Sequence, residues 1–172
     1  MSRRLQGGAC RAALVLLLSA AFVPGAPLAI AADNEAGPKL PRFVSLRSDQ
    51  VNLRVGPGEN YPIEWVLTRK EMPVEIVREF ENWRMIRDWQ GTEGWVHERM
   101  LTGKRAVVVK GGIRTLHRQP EVASPAVARA EPGVVARLLE CRGTWCRVDA
   151  ADHAGWVQRG DLWGVYPDEV VQ

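Results

Sequence analysis

The chain has 172 residues, which is enough for one medium-sized domain or two small ones and too few for a large multidomain enzyme. Its 23 Lys and Arg exceed its 20 Asp and Glu, but three arginines and no acidic residue lie within residues 1–31. Those three arginines account for the whole excess, so residues 32–172 have no net charge. This balance excludes the basic surface typical of proteins that bind nucleic acid or anionic membranes, and we expect neither as a partner.

Residues 1–31 have the three-part layout of a secretory signal peptide. A basic stretch precedes an apolar run from Ala12 to Val23, and small residues stand at Ala29 and Ala31, the positions that signal peptidase inspects. The alternative is a membrane anchor, but an apolar run of this length reaches only about 18 Å as a helix, short of the roughly 30 Å hydrocarbon core. The pattern therefore predicts cleavage between Ala31 and Ala32, export to the periplasm, and no transmembrane segment.

After a linker at residues 32–42, the chain shows the same pattern of motifs twice. Trp83 is followed 12 residues later by Trp95 within a Gly-Trp-Val tripeptide, and Trp145 is followed 11 residues later by Trp156 within the same tripeptide. The repeat length is roughly 60 residues, which is too long for a solenoid unit and typical of a small domain. The pattern therefore predicts two domains of one kind.

Each half consists of short apolar runs separated by turn residues, and none of it repeats apolar residues at helical spacing. Several short strands with turns between them indicate a small antiparallel barrel. We therefore predict an all-β protein of two tandem small β-barrels, in which helix is scarce. The predicted strands include residues 74–77, 83–87 and 94–96 in the first half and residues 134–139, 145–148 and 155–157 in the second.

Two motifs of the first half resemble the signatures of a known domain family. Residues 52–62 read Asn-Leu-Arg-Val-Gly-Pro-Gly-Glu-Asn-Tyr-Pro, and residues 94–96 read Gly-Trp-Val. They are similar to the N-x-R-x-G-P-G-x-x-Y-P and G-W-V signatures of bacterial SH3 (SH3b) domains. The resemblance implies one SH3-like barrel at residues 43–104, a second at residues 107–167, and a tail at residues 168–172.

The first tryptophan of each repeat is a candidate for ligand binding. Side chains alternate between the faces of a strand, so if Ile86 faces the core, Trp83 faces outward and Arg84 inward. In SH3-like domains the tryptophan at this place lines the groove where extended peptides lie, and the resemblance implies that role for Trp83. The alternative is that the ring only covers a barrel end or the joint between the two halves. We expect this alternative role for Trp145.

Three further residues are candidates for ligand binding, namely Arg54, Tyr61 and Trp95. Arg54 could form a charged hydrogen bond with a ligand carboxylate, and its alternative role is a surface salt bridge with Glu75 or Glu79. Tyr61 follows the turn that borders the groove in the resembled domains. Trp95 directly follows a glycine, and its alternative role is packing against the core or the neighbouring repeat.

A Gly-Pro-Gly turn at residues 56–58 lies shortly before Tyr61. Pro57 fixes one φ angle, and the two glycines permit positive φ on either side of it. The turn is interpreted either as a ligand-facing loop or as a plain structural turn. The second half has Leu-His-Arg-Gln-Pro at residues 116–120 in its place, so ligand properties that depend on this loop are not expected there.

Cys141 and Cys146 are the only cysteines after residue 31, and they flank a four-residue loop. Such a loop places them opposite each other on adjacent strands, where the Cα atoms of a non-hydrogen-bonded pair lie about 4.5 Å apart. In an oxidising compartment this arrangement predicts a disulfide. A redox-active pair usually has two residues between the sulfurs, and a zinc site would need two more ligands, so both alternatives are weaker.

The sequence contains no recognisable catalytic constellation. His97, His117 and His153 stand apart along the chain. Cys146 with His153 and Asp152 would make a nucleophilic triad, but a disulfide would remove the thiolate that such chemistry requires. We therefore predict that the protein is not an enzyme and has no bound metal or cofactor.

These features together predict an exported, non-catalytic binding protein of the cell envelope. Its ligand is expected to be a cell-wall peptide from peptidoglycan or an envelope protein. One alternative is a purely structural accessory subunit that docks on an envelope enzyme, and another is a cysteine-dependent hydrolase or redox protein. A groove at the aromatic surface would favour ligand binding, whereas a flat patch would favour docking.

The leader makes a direct prediction about processing. Because small residues occupy Ala29 and Ala31, signal peptidase is expected to cut after Ala31, so that the exported protein begins at Ala32. Amino-terminal sequencing of the exported protein measures this start. Exported material that begins at Met1 would contradict both the leader and the oxidising compartment on which the disulfide argument depends.

Overall fold

The structure, a computed structural model, describes residues 38–172. The predicted leader and its cleavage site at Ala31 and Ala32 lie outside the described residues. The described part of the chain forms fourteen β-strands and two 3-10 helices, Glu98–Met100 and Arg159–Asp161, and has no α-helix. Within it, no helix is long and apolar enough to cross a membrane. The prediction of an all-β protein is confirmed.

Barrel 1 contains seven strands that pair in antiparallel fashion. They are Arg42–Leu46 (β1), Val51–Arg54 (β2), Ile63–Leu67 (β3), Pro73–Phe80 (β4), Trp83–Arg87 (β5), Glu93–His97 (β6) and Leu101–Thr102 (β7). Their order in the sheet is β3-β2-β6-β5-β4-β1-β7. Strand β3 therefore lies at one edge of the sheet.

Barrel 2 repeats this topology. Its strands are Ala106–Val109 (β8), Arg114–His117 (β9), Ala126–Ala130 (β10), Val135–Arg142 (β11), Trp145–Ala150 (β12), His153–Gln158 (β13) and Leu162–Trp163 (β14). Their order is β10-β9-β13-β12-β11-β8-β14, which is the order of barrel 1 with seven added to every number. The tandem repeat predicted from the tryptophan motifs is therefore present in the fold.

The core of each barrel follows from the alternation of side chains along the strands. In β12, Cys146 and Val148 are buried, while Arg147 between them is exposed. Strand β8 is different, because all four of its residues are buried. It pairs with β11 and β14 inside barrel 2 and also contacts β4 of barrel 1, so it needs an uninterrupted apolar sequence.

The two barrels belong to one compact unit and meet at a joint built around the segment Trp163–Glu169, which we call the clasp. Phe43 of β1 packs edge-on against Trp163, with ring centroids 5.0 Å apart, and lies 4.6 Å from the tilted ring of Tyr166. Aromatic pairs of this kind contribute about 0.5–1.5 kcal/mol each beyond the burial of apolar area. The centre of the joint is therefore aromatic.

A buried hydrogen bond crosses the joint beside these rings. The Tyr166 hydroxyl donates to Oε1 of Glu75 over 2.8 Å, and Glu75 is only 9% exposed. Arg87 lies 3.5 Å from the other oxygen of this carboxylate. Burial, together with the hydrogen bond to Glu75, raises the pKa of Tyr166 well above its usual range. The hydroxyl therefore stays protonated and continues to donate over the ordinary pH range.

Arg105 holds the clasp on the side of barrel 2. Its guanidinium donates to the Gly164 carbonyl over 2.8 Å and forms an ion pair with Glu169. Burial alone would raise the pKa of Glu169, but hydrogen bonds from Arg105 and the backbone N–H of Tyr166 outweigh burial and lower it. Gly164 has a φ of 111°, and a Cβ there would lie 2.6 Å from the Ala106 carbonyl oxygen, so glycine is required.

The predicted disulfide between Cys141 and Cys146 is confirmed, with Cα atoms 4.0 Å apart. The connecting loop is shorter than predicted. Arg142 and Trp145 already pair across β11 and β12, so the turn consists only of residues 143–144. The four-residue estimate was wrong because both strands continue to the cysteines and one residue beyond them.

Residues 168–172, which the sequence assigned to a tail, also contact barrel 2. The backbone N–H of Cys141 donates to the Val171 carbonyl over 3.0 Å, and Val171 packs against the core of barrel 2. The N–H of Cys141 therefore does not donate to Cys146, as expected for a non-hydrogen-bonded pair of residues on adjacent strands. The segment after the clasp therefore protects the edge of β11.

The disulfide makes a prediction about stability. Replacing both Cys141 and Cys146 with alanine is expected to lower the free energy of unfolding by about 2 kcal/mol, because the unfolded chain regains the freedom of the small closed loop. Urea denaturation measures the loss. In the unmodified folded protein, thiol alkylation should label neither cysteine until a reductant is added, and stoichiometric labelling without reductant would contradict the bond.

The Tyr166 hydroxyl makes a prediction about pH. The folded-state pKa of Tyr166 lies above its unfolded value, so its contribution to stability is complete below about pH 10 and is lost as pH rises further. Tyr166→Phe should therefore destabilise the protein by roughly 1–3 kcal/mol at neutral pH and weaken the loss of stability above pH 10. Denaturation at several pH values measures both effects. Tyr61→Phe is the matched control, and an equal effect of that variant would contradict the assignment.

Candidate functional site

The outer face of β2, β6 and β5 brings three of the predicted ligand-binding residues together. Arg54 pairs with Trp95 across β2 and β6, and Trp95 pairs with Met85 across β6 and β5. Trp83 lies two residues from Met85 and therefore on the same face, where it pairs with His97. We call Arg54, Tyr61, Trp83, Trp95 and His97 the barrel 1 aromatic surface.

The exposure of these side chains differs. Trp83 is half-buried, and its ring lies edge-on to His97 with centroids 5.4 Å apart. Trp95 is only 9% exposed, whereas Tyr61 is 40% exposed. Tyr61 and the open part of Trp83 are therefore the aromatic groups that a ligand can reach directly, whereas Trp95 is almost fully buried.

Parity placed Ile86 in the core and Arg84 on the same inner face, and both are found there. Ile86 is fully buried. The Arg84 guanidinium lies 3.1 Å from Glu79 and 2.6 Å from Glu98, so its charge is compensated by two carboxylates. These ion pairs explain how a strand with an inward arginine keeps Trp83 on the outer face.

Arg54 does not form the salt bridge with Glu75 or Glu79 that the sequence offered as its alternative role. Its guanidinium donates instead to the Tyr61 carbonyl over 2.7 Å. Glu75 is occupied by Tyr166 and Arg87 at the joint, and Glu79 binds Arg42 and Arg84. Arg54 therefore fixes the loop that carries Tyr61, and it remains at the outer face.

The glycines of the Gly-Pro-Gly turn have a different role from the predicted one. Neither Gly56 nor Gly58 has a positive φ. The Tyr61 ring lies against the turn instead: a Cβ on Gly56 would be 2.4 Å from the ring, and one on Gly58 would be 3.2 Å from it. The glycines therefore leave room for the Tyr61 ring, which packs directly against the turn.

Barrel 2 has an equivalent surface built from different residues. His117 pairs with Trp156 as Arg54 pairs with Trp95, and Trp145 pairs with Gln158 as Trp83 pairs with His97. The Trp145 ring lies edge-on to His117, with centroids 5.7 Å apart. The barrel 2 aromatic surface, which consists of His117, Trp145, Trp156 and Gln158, therefore keeps both tryptophans.

A pocket of about 270 Å³ opens beside Trp145. Ile113 and Val122 form its rim and are among the most exposed apolar side chains of barrel 2. Arg114 and Asp161, which also line the pocket, form an ion pair at 3.2 Å. The pocket thus combines an aromatic wall and an apolar rim with a charged end.

Trp145 does not lie at the joint, which was one of the two places expected for it. The joint is formed by Phe43, Trp163 and Tyr166, and Trp145 lines the pocket instead. The prediction relied on the missing Gly-Pro-Gly turn. In the structure, the loop that replaces this turn is ordered by hydrogen bonds of Ser124.

Ser124 orders the loop that replaces the Gly-Pro-Gly turn. Ser124 is buried, and its hydroxyl accepts a hydrogen bond from the backbone N–H of Gln119 over 2.9 Å. The Ser124 carbonyl lies 2.9 Å from Nδ1 of His117, and since a carbonyl only accepts, this ring nitrogen carries the proton. His117 is therefore held in one orientation beside Trp145.

The exposed apolar residues of the edge strand β3 were not among the residues predicted from the sequence. Trp65 is 58% exposed, and Ile63 and Val66 beside it are also exposed. The corresponding residues of β10 are Ala126, Ala128 and Arg129, since β10 has the same register on β9 that β3 has on β2. The signal was the apolar run Ile-Glu-Trp-Val-Leu directly after the Gly-Pro-Gly turn.

Residues 38–172 show neither a metal-binding cluster nor a free thiol. No group of three or more His, Cys, Asp or Glu side chains there is arranged to hold a metal ion. Cys141 and Cys146 are bonded to each other, so neither supplies a thiolate.

Comparison with solved structures finds distant likenesses. The chain is similar to NlpC2 from Trichomonas vaginalis, with 11% identity and a TM-score of 0.35, over 77% of this chain and 51% of that one. It is also similar to an NlpC/P60 family protein from Bacillus cereus ATCC 10987, with 13% identity and a TM-score of 0.32, over 70% of this chain and 55% of that one. The chain spans about half the length of each. No curated protein sequence matches it significantly.

The family comparison covers both barrels. Residues 47–103 and residues 110–164 each match the family described as bacterial SH3 domain. These two ranges contain most strands of the two barrels and both aromatic surfaces. The chain therefore belongs to the bacterial SH3 domain family and carries two copies of that domain in tandem.

Proposed function

We propose that this protein is an exported, non-catalytic peptide-binding protein of the periplasm, and that it recognises the peptides of peptidoglycan. The observation that carries the proposal is the pocket beside Trp145, which lies where the barrel 1 aromatic surface has Trp83. Two surfaces of equivalent construction in one chain support a shared task. Membership of the bacterial SH3 domain family supports binding of cell-wall peptides or proteins.

The make-up of the pocket supports a peptide as the ligand. Trp145 offers a flat ring with few side-chain torsions to restrict, so contact with it requires little ordering. Ile113 and Val122 provide apolar contacts, while Gln158 and the Arg114–Asp161 pair provide polar groups for an amide backbone or a carboxylate. Mixed apolar and polar contacts suit the short, charged peptides of peptidoglycan.

Barrel 1 supplies a second, shallower site in this proposal. Tyr61 and Trp83 contribute the rings, and Arg54 contributes the positive charge. Only one nitrogen of the Arg54 guanidinium donates to the Tyr61 carbonyl, which leaves further donors for a ligand carboxylate. Export and the periplasmic location rest on the leader sequence.

The proposal predicts a specific loss of binding. Trp145→Ala and Trp83→Ala should each weaken binding of the mature protein to purified peptidoglycan by about 30-fold for the surface concerned, which is the effect of losing one aromatic hot spot. Sedimentation of the protein with insoluble peptidoglycan measures the bound fraction. Trp65→Ala removes a more exposed tryptophan outside both surfaces and is the matched control.

Folding has to be separated from binding in this experiment. Ile113 is 62% exposed, so Ile113→Ser should alter the rim of the Trp145 pocket without unfolding barrel 2. Denaturation curves of every variant show whether the barrels are intact. If Trp145→Ala and Ile113→Ser stay folded and both bind peptidoglycan as the unmodified protein does, the pocket is not the site.

A further inference from the structure

Barrel 2 contains a second and larger cavity beside the Trp145 pocket. It has a volume of about 470 Å³, within the usual range for small-molecule sites. Its apolar lining comes from Leu162, Trp163, Val165 and Pro167. Gln158 borders both this cavity and the Trp145 pocket, so the two lie side by side.

The floor of the cavity is fixed by the core and the joint. Leu162 and Val165 are buried and belong to the core of barrel 2. The Trp163 ring packs against Phe43 at the joint while it also lines the cavity. A cavity whose walls are held in this way is largely preformed, which reduces the ordering cost of filling it.

Two cations, Lys110 and Arg159, line the same cavity. The ion pairs found in the described part of barrel 2 engage other arginines, and neither Lys110 nor Arg159 has a carboxylate partner among them. The Arg159 guanidinium donates to the backbone carbonyls of Tyr166, Pro167 and Glu169, which are neutral acceptors. Its Nε is buried without a hydrogen-bond partner.

An apolar cavity lined by two cations that form no ion pair favours one kind of ligand. An apolar body would displace water from Leu162, Val165 and Trp163, and a negative group would meet Lys110 and Arg159. A cationic ligand would be repelled, and a neutral one would leave the charges unmatched. We propose that this cavity binds a small amphipathic anion, with an apolar body and a single carboxylate, independently of the peptide site.

Such a carboxylate could belong to an acyl chain or to the carboxyl end of a peptide with an apolar side chain. Octanoate is the probe for the first source and N-acetylleucine for the second. Each has about ten non-hydrogen atoms, so we expect a dissociation constant of about 1 mM for the preferred source. Titration followed by the indole N–H signal of Trp163 in ¹⁵N–¹H spectra locates the binding, and no Trp163 shift with either probe would overturn the proposal.

The charge of the ligand provides a further test. Octanoate, 1-octanol and octylammonium share one apolar body and differ in charge, and only the anion should bind well. Lys110→Glu should weaken binding of the anion by about tenfold, because it replaces an attraction with a repulsion. Lys70→Glu changes the same charge in barrel 1 and should have no effect. Equal binding of 1-octanol and octanoate would show that the cations play no part.

Gly160 allows the cavity to be filled without disturbing the fold. It lines the cavity, and a Cβ added there would have no heavy atom within 4 Å. Gly160→Leu places a large side chain at the cavity wall and should therefore weaken binding of the anion at least tenfold. Gly112→Leu is the matched control, since a Cβ there also meets nothing within 4 Å. Unchanged affinity in folded Gly160→Leu would place the ligand elsewhere.

A last variant distinguishes this site from the proposed peptide site. Trp145→Ala should retain binding of the anion even though it loses binding to peptidoglycan. Gly160→Leu should show the reverse. Loss of both activities in either folded variant would indicate a single site and overturn the independence of the cavity.

Discussion

The hydrogen bond between Tyr166 and Glu75 joins the two barrels directly, beside the aromatic contacts of Phe43. Each barrel has its own core, but a carboxylate that is 9% exposed is stable only where donors reach it. Tyr166 supplies one donor from the clasp, and the same ring packs on Phe43. Tyr166 therefore provides both an aromatic contact and a hydrogen bond to the buried carboxylate. Arg105 then fixes the clasp through Gly164 and Glu169.

The equivalent surfaces show how one fold keeps a geometry while its residues change. Strand register places Trp83 and Trp145 at corresponding positions, although Arg54 in barrel 1 corresponds to His117 in barrel 2. The loop that follows β2 or β9 is held in a different way in each barrel. In barrel 1 the Tyr61 ring packs against two glycines, and in barrel 2 Ser124 forms hydrogen bonds with Gln119 and His117. What the two barrels share is therefore a face on which an aromatic ring is held in place.

Local features of this protein could be predicted from the sequence because they depend on short-range rules. Strand parity gave the faces of Ile86 and Trp83, and spacing gave the Cys141–Cys146 bond. The joint could not be predicted, since Tyr166 and Glu75 lie 91 residues apart and neither belongs to a recognisable motif. The Trp145 pocket and the cavity lined by Trp163 could not be predicted for a similar reason, because their walls come from segments that only the fold brings together.

The position of the clasp in the chain has a consequence for folding during synthesis. Every strand of barrel 1 precedes residue 103, whereas the contacts to Phe43 and Glu75 come from Trp163 and Tyr166. Domains generally fold in the order in which they are made, at about 5–20 residues per second during translation. Barrel 1 therefore has to pass through a stage in which its aromatic and acidic joint residues face solvent. A newly made chain would be most open to misassociation, and most in need of a chaperone, in that interval.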